Sequence, residues 1–214
     1  MSLILNLETS TKNCSVSIAK NGICLTSVEE SSEDYFHSEK LHAFIQYVIN
    51  ISGIHLKDLK SVCVNKGPGS YTSLRIGASA ARGLCSALNI PLLSVDTLTI
   101  MVMGYNFIKK GFLIPMVHAK SDFFYISLFN ESKKRINPIK IKKLDDDFFK
   151  SISKKYKKVH FIGNTFSLKK KFFSTKKNNF FYKNPSAMDM SLISYKKFCK
   201  KSFSNMEKFI PFYL

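Results

Sequence analysis

The sequence predicts an α/β fold, and three observations carry that prediction. Two alternating runs, "CSVSIAK" and "ICLTSVE", are joined by Asn21-Gly22, residues that tolerate the positive φ angles of a two-residue hairpin turn. Leu41, Phe44, Ile45 and Val48 follow the i, i+3, i+4, i+7 spacing of an amphipathic helix, and Gly53 ends it. Short apolar strands, "SVCVN" and "LLSV", then alternate with helical runs, as parallel strands joined by crossover helices do.

Taken in order, Leu3–Leu7 reads as a buried strand, followed by the polar turn "ETSTKN" and the hairpin. The acidic loop "EESSED" leads into a helix over "YFHSEKLHAFIQYVINISG". Next come the strand "SVCVN", a Gly-Pro-Gly loop, a helix from about Thr72 to Leu88, the strand "LLSV" and a helical "DTLTIMVMGY". The first half therefore reads β-β-β-α-β-α-β-α. In the second half, "GFLIPMVHA" and "FFYISLFN" are strands about a Lys-Ser-Asp turn, and "KVHFIG" is a further strand. "DDDFFKSISKKY" opens with acids and closes with lysines, as a helix dipole favours. "LKKKFFSTKKNNFFYK" has no clear period and reads as loop with short edge strands, and "PSAMDMSLISYKKFCK" as a last helix. The expected lobes are 1–104 and 105–214, the C-terminal helix (about 185–203) packing back on the first.

A chain of 214 residues with 45% hydrophobic content can bury a core. No apolar run reaches the length of a signal peptide or a membrane span, so the expected location is the cytoplasm, away from membranes. Five cysteines without a CxxC pair read as reduced side chains. The net charge of +18 lies wholly in residues 109–214, because the first 108 residues balance 8 Lys and Arg against 8 acids. Two readings stay open: a polyanion partner such as RNA, or compositional drift in a chain with 30 Lys and 19 Phe.

The stretch "LNLETSTKN" can hold a phosphate through Glu8, Thr9 and Ser10, yet these residues equally satisfy the turn's own backbone. In "GPGSYTSLRIG", Gly67 and Gly69 allow tight backbone geometry, and Ser70 or Thr72 can cap a helix whose free N–H groups attract anions. It lacks the lysine of a P-loop. Arg75 lies early in that helix, where the dipole disfavours a cation unless an acidic partner offsets it. His37 and His42 are five residues apart, which rules out ligation from one helix face, and no metal site is read. Ser73, Gly77 and Ala81, flanked by Ala80 and Leu84, form a small-residue stripe. It fits close packing on the chain's own sheet or helices, or docking of another helix.

Four segments, "LILNLETSTKNCSVSIAKNG", "HSEKLHAFI", "NKGPGSYTSLRIGASAARGLCSALNIPLLSVDTL" and "IPFYL", resemble the TsaB (YeaZ) family. The resemblance is dense over residues 3–98 and then thins to "VHAKSDFFYISLF", "FIGN" and the C-terminus. It implies an actin-like, ribonuclease-H-like fold in two lobes. It also implies a non-catalytic subunit in the formation of threonylcarbamoyladenosine at position 37 of tRNAs. Such a subunit pairs with the catalytic TsaD, works with the ATPase TsaE, meets tRNA through the complex, and can form a homodimer alone. ATP and metal belong to those partners, and the chain has no cofactor of its own. The resemblance implies a partner interface of His37, Leu41, Phe44, Ile45, Val48, Ser73, Gly77, Ala80, Ala81 and Leu84. Glu8, Thr9, Ser10, Gly67, Gly69, Ser70 and Arg75 then form a vestigial phosphate turn, and Lys169, Lys170 and Lys171 are candidate tRNA contacts. Departures fall at Glu8, where the family often has Asp, at Ser73, where Gly is usual, and at His118 and Lys120. The competing expectations are an actin-like ATPase or glycoprotease-like enzyme, and a basic RNA-binding module acting alone.

Overall fold

A computed structural model describes residues 2–32, 36–105, 110–164 and 178–212. Lys169, Lys170 and Lys171 lie outside the described residues. The chain divides into two compact units, Met1–Ile100 with Pro185–Tyr213, and Met101–Asn184. The first unit is thus discontinuous in sequence, and residues 185–213 belong to it rather than to a lobe running from 105 to 214.

In the first unit β1 (Leu3–Glu8), β2 (Asn13–Lys20), β3 (Ile23–Ser31), β4 (Ser61–Asn65) and β5 (Leu92–Val95) form one sheet in the order β3-β2-β1-β4-β5. The β1–β2 and β2–β3 pairs are antiparallel, while β1–β4 and β4–β5 are parallel. Asn21 and Gly22 have φ of 51° and 86°, and Lys20 pairs with Ile23, so the hairpin closes through the two-residue turn expected of Asn-Gly. Helices cover both faces of this sheet. Leu3, Leu5 and Leu7 pack against α1 (His37–Ile51) and α2 (Tyr71–Leu88), through Leu41, Phe44, Ile45, Val48, Ala80, Ala81 and Cys85. On the other face Ile4, Cys63 and Leu93 meet Ile100 of α3 (Thr97–Met103) and the C-terminal Ala187 and Met190. That two-sided burial explains why β1 reads as a continuous apolar run.

The last helix is shorter than its sequence suggests: a 3-10 turn spans Met188–Met190 and the α-helix α5 only Ser191–Cys199. The Pro185–Ala187 segment ahead of it is consumed by β2. Asn13 Nδ2 donates to Pro185 O (3.0 Å), Ser17 Oγ to Ala187 O (2.9 Å), and Ala187 N to Ser15 Oγ (2.9 Å).

The second unit has its own sheet, β6 (Phe112–Lys120), β7 (Phe123–Ile126), β8 (Lys140–Lys143), β9 (Val159–Gly163) and β10 (Asn178–Tyr182), in the order β10-β9-β6-β7-β8. Its helix α4 (Asp146–Lys155) begins at Asp145, whose carboxylate accepts from Phe148 N at 2.9 Å, and ends with Lys154 and Lys155. This is the charge order the dipole favours. Strand β8, all of it exposed, has no signal in the sequence, because "KIKK" shows neither an apolar face nor a bounding turn pair. Edge strands carry lysine to discourage pairing with another chain.

Candidate functional site

The end of β1, the end of β4 and the start of α2 converge on one cluster. Glu8 is fully buried. Its Oε1 accepts from Ser10 N (2.7 Å) and Ser10 Oγ (2.6 Å), and its Oε2 accepts from Asn65 Nδ2. Asn65 Oδ1 in turn accepts from Gly67 N at 2.5 Å, and Thr97 Oγ1 donates to Pro68 O at 2.6 Å. Ser70 N, the first donor an anion would need, donates to Ser10 O at 2.7 Å. A Cβ on Gly69 would strike Ser10 O, and one on Gly67, whose φ is +90°, would lie 2.5 Å from Phe212 O. The glycines are therefore required by the chain's own backbone, which fills the turn from two sides. Burial pushes the Glu8 carboxyl up from its ordinary value near 4.5 to about 7; hydrogen bonds from Ser10 and Asn65 oppose the rise, and Asp189 adds to it.

Glu8, Thr9, Ser10, Gly67, Gly69 and Ser70 are thus brought together, and closed on themselves. Arg75 is not among them. It lies on the outer face of α2, with its guanidinium carbon 4.2 Å from the centroid of the Tyr71 ring.

The small-residue stripe faces inward. A Cβ on Gly77 would strike Thr9 Oγ1, and Ser73, Ala80 and Ala81 are all buried. His37, Leu41, Phe44, Ile45 and Val48 are buried as well, at 9% exposure or less. Burial holds His37 below the usual imidazole range, with Nε2 3.4 Å from Asn13 O. These residues cannot all be a free partner face, which corrects the interface expected from the resemblance. The physical reason is plain. Any amphipathic helix turns its 3.6-period stripe to its own core, and periodicity does not say whose core that is.

The open surface lies one step round the same helices. A groove of about 750 Å³ is lined by Ser38 and His42 of α1 and, on α2, by Tyr71, Thr72, Arg75, Ile76, Ser79, Ala80, Gly83 and Leu84. Only Ala80 and Leu84 of the expected interface reach it. A smaller hollow of about 380 Å³ shares Ser79 and Gly83, and adds Arg82, Ser86, Met206 and Glu207. A Cβ on Gly83 would meet nothing within 4 Å. Sequence reasoning missed a second run of small residues, Thr72, Ser79, Gly83 and Ser86, offset from the stripe it chose.

Among the described residues no group of three or more His, Cys, Asp or Glu side chains could hold a metal ion. Burial pushes the Cys14 thiol up to about 12 and that of Cys85 to about 11, and raises Cys63 further. These are protonated packing groups. No described helix is long and apolar enough to cross a membrane.

A family model described as TsaD, tRNA N6-adenosine threonylcarbamoyltransferase, matches residues 31–206. The tRNA threonylcarbamoyladenosine biosynthesis protein TsaB of Buchnera aphidicola subsp. Schizaphis graminum is 31% identical over 162 residues, covering 72% of this chain and 76% of that protein. The chain belongs to the TsaB family. The TsaB of Buchnera aphidicola subsp. Acyrthosiphon pisum is 33% identical over 135 residues, so the match spans 60% of that relative's length and 63% of this chain. YeaZ from Pseudomonas aeruginosa, 21% identical, superposes with a TM-score of 0.81 over 100% of both chains, which makes the fold that of YeaZ. The activator of the 2-hydroxyisocaproyl-CoA dehydratase from Clostridium difficile, solved with bound ADPNP, superposes with a TM-score of 0.53 at 10% identity, covering 95% of this chain and 98% of that one. The architecture is actin-like.

Proposed function

We propose that the chain is a non-catalytic subunit of the machinery that makes threonylcarbamoyladenosine in tRNA. On this reading it acts in the cytoplasm by pairing with TsaD across the α1–α2 groove. The observation that carries the reading is the contrast on α2: its start is occupied by the chain's own Ser10 and Phe212 carbonyls, while its outer face stays open beside α1. TsaD supplies the active site and the metal, TsaE hydrolyses ATP, and the tRNA is met in the assembled complex. Lys169, Lys170 and Lys171 are proposed to contribute to that contact. When TsaD is absent, the same groove is available to a second copy.

Reconstitution tests this. The chain is mixed with TsaD, TsaE, threonylcarbamoyl-adenylate and tRNA, and the modified nucleoside is quantified. Modification should require the chain, and Gly83→Leu, which fills the groove from an open position, should abolish both binding to TsaD and modification. Hydrolysis of ATP or peptide by the chain alone, tracking it through purification and lost in Glu8→Ala, would instead make it an enzyme. Tight tRNA binding without TsaD would favour a basic module acting alone.

A further inference from the structure

Arg75 is a cation used by neither the closed turn nor the core. It opens the second turn of α2 and is exposed. Its stacking on Tyr71, at 4.2 Å, holds it along the groove wall and leaves the N–H edge of the guanidinium available. Among the described residues no carboxylate pairs with it. Among the described residues the other titratable groups lining the groove are His42 and the Tyr71 phenol, and none of them is acidic.

We infer that the groove receives an acidic helix face, and that a carboxylate of the partner seats on Arg75 beside Tyr71. The inference rests on the docking reading above and names what that partner must carry. A second copy fits less well: α2 has no acid and α1 has only Glu39, so the same two helices of a copy offer Arg75 few carboxylates.

The test measures affinity for TsaD of the wild-type chain and of Arg75→Ala, Arg75→Glu and Gly83→Leu, each at low and high salt, with melting curves as the folding control. Arg75 is exposed, so its variants should melt like wild type. Arg75→Glu should weaken Kd by about tenfold or more. Arg75→Ala should lose part of the salt dependence, and a carboxylate→Lys change on the docking helix of TsaD should restore binding to Arg75→Glu. If Arg75→Glu binds TsaD like wild type while Gly83→Leu does not, the docking reading stands and the acidic partner is wrong. If Gly83→Leu also binds normally, the docking reading falls and takes this inference with it. Self-association altered by Arg75→Glu, with TsaD binding unchanged, would make the occupant a second copy and overturn the proposal.

Discussion

Glu8 shows how one residue can serve structure at a measurable cost. The carboxylate is buried, accepts three hydrogen bonds, and still has its pKa raised to about 7, because no cation comes close enough to offset the loss of water. A carboxyl raised above its unfolded value contributes stability that is fully present below about 4.5 and is lost as pH rises through about 7. The shift corresponds to on the order of 3 kcal/mol. Wild type should therefore lose stability between pH 5 and pH 8 relative to Glu8→Gln, whose curve lacks this step. Denaturant melts at a series of pH values check it, and parallel curves for the two proteins would show that burial does not govern this carboxyl. Gly69 makes a second residue-scale case. Gly69→Ala should destabilise the fold, since its Cβ collides with the Ser10 carbonyl and backbone cannot swing aside as a side chain does.

On the scale of an element, α2 presents glycine to two different surroundings. Gly77 sits against Thr9, whereas Gly83 faces open space. Gly83→Ala should raise stability by up to about 1 kcal/mol from helix propensity alone. Gly77→Ala should lower it by about 1–3 kcal/mol from overpacking, and Gly77→Leu should fold poorly by itself. Thermal melts of the three variants distinguish the faces; equal effects at both positions would refute this orientation of the helix. The same helix marks the limit of what could be read from residues. The spacing of Leu41 to Val48, the Asn-Gly turn and the Gly-Pro-Gly loop each have a local physical signature, so α1, the hairpin and the start of α2 were legible. Which face of α2 looks outward is marked only by Arg75 and Arg82, seven residues apart and both exposed. The small residues themselves do not tell the faces apart, and it is Thr9, far away in sequence, that makes Gly77 a packing position. Strand β8 was illegible for a related reason. Its register against Phe123–Ile126, not its own composition, makes "KIKK" a strand.

For the molecule as a whole, charge and chain order are divided between the two units. The unit of Met101–Asn184 has 20 Lys and Arg against 5 acids, and the other has 13 against 10. Lys140, Lys142 and Lys143 of β8 are exposed within the basic unit. If these lysines meet tRNA in the complex, replacing all three with Gln should flatten the dependence of log K on log salt by roughly one unit for each phosphate no longer neutralised. An unchanged slope would leave compositional drift as their explanation. Chain order has its own effect. Ser204 N donates to Leu92 O at 2.8 Å and Phe212 N to Lys66 O at 2.7 Å, so the tail is stitched to β5 and to the loop that starts α2. Met206 and Glu207 on that tail also line the hollow beside Gly83. During synthesis, then, residues 1–100 leave the ribosome with α2 lacking one flank, and that flank arrives only after the whole second unit has been translated. A nascent or prematurely stopped chain therefore lacks the wall of that hollow that Met206 and Glu207 supply.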